Sequence, residues 1–424
     1  MSKGTPGFMG EKLSQALRLR RIKPITLANE IGVTRSSISA YEKNLRSPSP
    51  EIMGQICQVL NLPLSFFVNN SIYLPKSNSP LFYRSYFSKL KMAREAAEEK
   101  HRIFSSMVFY LDRFVSFPPS NIPLFDVPSD PTEIDEKQIE EISQKTRKYW
   151  GLNLGPISNV IYLLENNGIF VGKFPFGCDK LDAFSQNIEG RYFQIIIGSD
   201  KGSAVRQRFD AAHELGHIVL HRKIPKEIVK SEVFHGLLEY QANQFAFEFL
   251  FPTPAFKNEV KRYSIGEFIN LKRKWKVSVA SQVQRASKPD IAGVVEMAPL
   301  QRTISRNGWR KNEPLDNELI CEEPRLIKDA FKIVLETRTQ SPQDVYNNFC
   351  LHFSDIEQIA GLPDGYLSSF EQEKSKVIDL KDEFKTRNTI DIDDPVDFDY
   401  EETKNVSNRK TNVYSFLDAF AQKT

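Results

Sequence analysis

Cysteine is scarce in this 424-residue sequence, and its four copies, Cys57, Cys178, Cys321 and Cys350, stand far apart with no C-x-x-C pair. That excludes a disulfide framework and an all-thiolate metal site, and it points to a reducing compartment, the cytoplasm. Long apolar runs are missing too. No stretch approaches the roughly 18 residues that a membrane span needs, and the opening MSKGTPGFMGEKL lacks the apolar core of a signal peptide. A cytoplasmic protein without membrane contact is expected. Net charge is only +3, so affinity for nucleic acid has to come from a local patch rather than a whole-chain field. No internal repeat is evident. What the chain does have is 31 phenylalanines and 40% hydrophobic residues, enough for roughly two to four packed domains at this length.

Histidine is scarce as well, with six copies, yet His213, His217 and His221 fall within nine residues. The first two frame His213-Glu214-Leu215-Gly216-His217. On a helix, an H-E-x-x-H sets two imidazoles one turn apart on one face, where both can ligate zinc, with a carboxylate beside them as general base. Gly216 permits close approach of another element. A zinc hydrolase needs a third protein ligand, and the following segment, Glu239-Tyr240-Gln241-Ala242-Asn243-Gln244-Phe245-Ala246, places an acid on a helix with a buried face. Such an acid needs a charge partner, so Glu239 is the expected third ligand and Asn243, one turn on, a group that orients a ligand. His221 lies about two turns from His213 and is expected to pack or hydrogen-bond rather than share the ion. His235 is expected in an exposed connection. Zinc there would bring the pKa of its water toward about 7, with Glu214 taking the proton and passing it to the leaving amine.

The first 70 residues carry nine Lys/Arg against four Glu, a local excess of five positive charges. Their periodicity predicts five short helices between Gly10 and Val68, with Gly32-Val33-Thr34 as a tight turn between the second and third. That is a helix-turn-helix pattern. It predicts Arg35, Ser36, Ser37 and Ser39 as the face reading base edges, Thr34 as N-cap and phosphate contact, and Lys43, Asn44 and Arg46 as backbone grips.

The expected architecture is α+β and mainly helical. Residues 1–70 form the helix-turn-helix domain, 71–132 a helical connector with a Pro-rich linker, and 133–290 a zincin-like metallopeptidase domain with a small β-sheet. Residues 291–371 form a helical region, and 372–424 a charged tail with seven acids between 391 and 402. The sheet strands are expected at 169–171, 182–185 and 192–197. The tail is expected to be solvated and mobile, with a masking contact to the basic first domain as the alternative.

Two stretches carry a resemblance. "LANEIGVTRSSISAYEKNLRSPS" resembles the Xre, or Cro/C1-type, helix-turn-helix family. "WGLNLGPISNVIYLLENNGIFV", "LDAFS", "RQRFDAAHELGHIVLH" and "EYQANQFAFEFLFP" occur in the order of the ImmA/IrrE metallopeptidases. The resemblance implies zinc held by His213, His217 and Glu239, with Glu214 as catalytic acid/base. It also implies a protein substrate, a helix-turn-helix repressor or antitoxin, for a regulator that binds a double-stranded DNA operator, as a homodimer. Two alternatives stay open: a non-proteolytic repressor whose zinc domain is a sensor or dimerisation scaffold, and cleavage within the chain's own segment near 118–131.

Overall fold

The computed structural model describes residues 4–69, 91–309 and 311–374, with the paired segments Phe82–Tyr83 and Tyr414–Ser415. The acidic stretch 391–402, and with it the suggested contact to the basic first unit, lies outside the described residues. The fold is α+β and mainly helical. Five helices open it: α1 Gly10–Arg20, α2 Pro24–Glu30, α3 Arg35–Glu42, α4 Pro50–Leu60 and α5 Leu64–Val68. Their starts and stops are written locally. Pro24 and Pro50 occupy first-turn positions, where a missing N–H costs nothing. Thr34 and Ser49 cap α3 and α4 by accepting from Ser37 N and Ile52 N, and Gly32 turns the chain at φ +68°. The inward residues Leu13, Ala16, Leu27, Ala28 and Ile38 are fully buried.

A long helix, α6 Lys91–Leu111, leads to an irregular stretch and then to α7 Glu136–Tyr149 and α8 Val160–Asn166. A four-stranded sheet follows in the order 82–83, 183–188, 192–198, 169–174, antiparallel except for the last pair. Its side chains alternate with period two and divide two cores. Even-numbered Phe170, Phe174, Phe184 and Ile196 join a core shared with α6, the first five helices and the C-terminal helices. Odd-numbered Val171, Ala183, Ile195 and Ile197 join a second core built on α9 Ala204–Leu220.

After α10 Lys226–Val229, α9 is crossed by α11 Glu232–Leu250, and the pair packs more extensively than any other two helices. Gly216 sits at the crossing: a Cβ there would come within 3.2 Å of Ala242 Cα and its carbonyl oxygen. Sandwiched between sheet and α11, α9 is buried on almost every side, as a helix without a solvent face must be. The helices α12 Thr253–Glu259, α13 Ile265–Trp275, α14 Val279–Ala286 and α15 Val294–Arg306 complete this core, and α16 Leu326–Glu336, α17 Pro342–Phe349, α18 Phe353–Ala360 and α19 Tyr366–Lys374 complete the first one.

Two differences from the sequence reading concern the site. The Pro-rich stretch lacks regular structure, but it is not a free linker: Ile122 and Val127 are buried in the second core, and the Pro131 and Ile134 carbonyls accept from Gln241. α11 begins at Glu232, so His235 is helical rather than in a connection.

Candidate metal centre

α9 carries His213 and His217 on one face, and α11 brings Glu239 against them. The two Nε2 atoms lie 3.1 Å apart, and each lies 3.3 Å from a Glu239 oxygen. Around a tetrahedral ion with bonds of about 2.0–2.1 Å, ligand atoms sit about 3.3 Å from one another. The three donors form such a triangle. His213, His217 and Glu239 are also the one cluster among the described residues able to hold a metal ion.

Hydrogen bonds behind the imidazoles fix which nitrogens carry protons. Gln241 donates its amide to the Pro131 and Ile134 carbonyls at 2.7 and 2.9 Å, which turns its Oε1 toward His221 Nε2 at 3.1 Å. An oxygen acceptor there requires His221 to carry its proton on Nε2. His221 Nδ1 is then a lone pair, and His217 Nδ1, 2.8 Å away, donates to it. His217 therefore presents a lone pair at Nε2. His213 reaches the same state, because its Nδ1 meets Asn243 Oδ1 at 3.0 Å. Two lone pairs thus face each other beside a buried Glu239 oxygen that has no hydrogen-bond partner. That arrangement is repulsive by itself and favourable around a cation, so the residues fit a metal ion. Burial holds His217 neutral, its pKa lowered to about 4, and pushes the His221 pKa well below its ordinary value too.

Glu214 lies on the sheet side of the helix, where Ser185 donates its hydroxyl to Oε2 at 2.6 Å. Burial raises the Glu214 pKa to about 8, the range in which a carboxyl both takes and returns a proton near neutral pH. Ser185 and Gln241 lie within motifs that carry the resemblance, which assigns neither a role. Their roles exist only because a strand and a loop 29 and 107 residues away in the chain arrive at the helix pair.

Residues 164–287 match the family model of the IrrE N-terminal-like domain, and residues 13–67 match a helix-turn-helix model. The chain joins a helix-turn-helix domain to an IrrE N-terminal-like domain. The first is a DNA-binding family and the second a metallopeptidase family. No curated protein matches the chain.

On the helix-turn-helix domain, Thr34, Arg35 and Ser36 are exposed and Ser37 and Ser39 half-buried on α3, while Lys43, Asn44 and Arg46 are exposed in the loop behind it. Asn44 has a structural task as well. Its backbone is left-handed at φ +56°, and its Oδ1 accepts the Gly10 amide at 2.6 Å, tying α1 to the end of α3. Leu45 beside it is 73% exposed.

The helix-turn-helix domain is tied to α6, to α18 and, through Arg21, to the IrrE-like domain. Arg20 donates to both Asp355 oxygens at 2.7 and 2.6 Å, Arg18 pairs with Glu99 of α6, and Arg21 donates to the Gly177 carbonyl beside the sheet.

Proposed function

We propose that this chain is a cytoplasmic transcriptional regulator that binds double-stranded DNA as a homodimer and carries a zinc-dependent endopeptidase, whose substrate is a helix-turn-helix repressor or antitoxin. The observation that carries this reading is the convergence of two imidazole lone pairs and a Glu239 oxygen next to the buried Glu214. Imidazole and carboxylate donors in a triangle with an open fourth position suit zinc. Zinc held there supplies Lewis acidity to the scissile carbonyl and acidifies the attacking water.

The remaining steps belong to the chain. Glu214 takes the proton of the attacking water and returns it to the leaving amine, while the Ser185 hydroxyl holds the carboxylate in position. Asn243 and the His221–Gln241 pair keep both ligand imidazoles in the required tautomer. Arg35 and Ser36, exposed at the start of α3, read base edges, and Lys43 and Arg46, exposed in the loop after it, hold phosphates.

One observation favours a non-proteolytic sensor as second reading: His213, Glu214 and His217 are each no more than 2% exposed, so the centre is closed in this conformation. Incubating the zinc-loaded full-length protein with the repressor encoded beside it separates the two. Fragments formed by the wild type and not by Glu214→Gln support the peptidase. Cleavage by both proteins, or by neither, refutes it.

A further inference from the structure

A cleft of about 270 Å³ opens between the first turns of α9, the outer face of α11 and the loop after α15. Its walls include four aromatic side chains, Phe209, Tyr240, Phe247 and Trp309, two cations, Arg206 and Lys311, and the side chain of Asn243. Neither the three metal donors nor Glu214 line it. The cleft instead touches the back of one ligand. Asn243 Oδ1 lies 3.0 Å from Nδ1 of His213, on the side of the imidazole away from the donor nitrogen. Phe209 packs between, with ring centroids 6.4 Å from His213 and 5.0 Å from Phe247.

The charges in the walls are unequally committed. Glu313 and Asp316 both accept from the buried Lys272, at 2.9 and 2.6 Å, and Asp210 is also engaged. The Arg206 guanidinium and the Lys311 ammonium make no hydrogen bond or ion pair among the described residues. An uncommitted guanidinium in a cleft that also presents aromatic rings suits a flat anion: the ring stacks, and the planar fork receives the acidic group in two parallel bonds. The volume lies just under the range for drug-sized ligands, about 300–1,000 Å³, which limits the occupant to a small ring system.

The geometry points to a second ligand site: this cleft binds a small aromatic anion, and through Asn243 that ligand sets the orientation of the His213 imidazole. Asn243 is then a positioning residue shared by two sites. Binding needs neither metal nor proteolysis, so its failure would leave the peptidase reading untouched.

Two measurements on metal-free, full-length protein test this. Titration calorimetry compares indole-3-acetate with 3-methylindole, the same ring without the charge. The acid binds saturably, about tenfold tighter than 3-methylindole, and Arg206→Gln removes that difference, the effect of one charge-assisted hydrogen-bond pair. Retained binding of 3-methylindole by Arg206→Gln shows that the cleft is still formed. Histidine side-chain nitrogen NMR, assigned with His213→Gln, then shows the His213 signals moving on addition of indole-3-acetate, and Asn243→Ala abolishes the movement without abolishing binding. Absence of saturable binding, or equal affinity for the two probes, overturns the site. Binding that leaves the His213 signals in place overturns the link to the metal centre.

Discussion

The Nδ1 atoms of His217 and His221 face each other at 2.8 Å. Only one of them carries the proton, and Gln241, anchored to two backbone carbonyls, decides which. The tautomer of His217, a candidate metal ligand, is thus set from the Pro-rich segment that the sequence presents as a linker. Gln241→Leu or His221→Phe removes the control while sparing every ligand, and zinc affinity is expected to fall about 10–100-fold, the usual effect of losing an outer partner. Chelator competition measures it; unchanged affinity in both variants would show that the chain of bonds does not orient the site.

The helix-turn-helix domain is fastened to the rest of the chain at Arg20, which bonds Asp355 through both oxygens while donating to the Leu60 and Asn61 carbonyls. Asp355→Ala is expected to lower stability by roughly 1–3 kcal/mol and to speed hydrogen exchange in α1, α4 and α18. An unaltered melting curve with unaltered exchange argues that the two units are not coupled through this pair.

His101 of α6 is fully buried against the even face of the sheet, with Nε2 2.7 Å from Gln194 Oε1, and burial lowers its pKa to about 4. Its folded pKa is below the unfolded value near 6.5, so the unfolded chain binds the proton more readily. Stability from this residue is therefore complete above pH 6.5 and is lost as pH falls toward 4, by about 3 kcal/mol at most. Urea denaturation of wild type and His101→Gln across that window tests the sign: the difference between them should shrink on acidification, and a constant difference contradicts the assignment.

Arg35 opens the exposed end of α3. Arg35→Ala should weaken specific DNA binding by about 1–3 kcal/mol and relax preference at one base pair, whereas Lys43→Ala should lower the salt dependence by about one phosphate contact without changing preference. Binding curves at several salt concentrations distinguish the two effects. Identical behaviour of the two variants would remove α3 as the reading helix.

What was legible in the sequence was what is written locally. Gly32, Thr34 and Pro50 mark the helix-turn-helix boundaries, the short apolar runs 169–171 and 192–197 mark strands, and the four-residue spacing of His213 and His217 puts both on one helix face. Glu239 was readable because an acid on an apolar helix face needs a partner. What stayed hidden comes from distant chain. Glu322 caps α8 by accepting from Val160 N and Ile161 N, Glu313 caps α14 through Val279 N and Ala280 N, and Glu165 accepts from Arg325 N and Leu326 N at the start of α16. These carboxylates look like surface charges until the chain closes on itself. α15, within the expected helical region, continues through Pro299 although an interior proline removes a helical hydrogen bond.

Metal content tests the central claim most directly. Full-length protein, dialysed against trace zinc and analysed by plasma mass spectrometry, should hold one zinc per chain, retain it in Glu214→Gln and lose it in His217→Gln and Glu239→Gln. A wild type without zinc, or ligand variants that keep it, would contradict the centre built by α9 and α11.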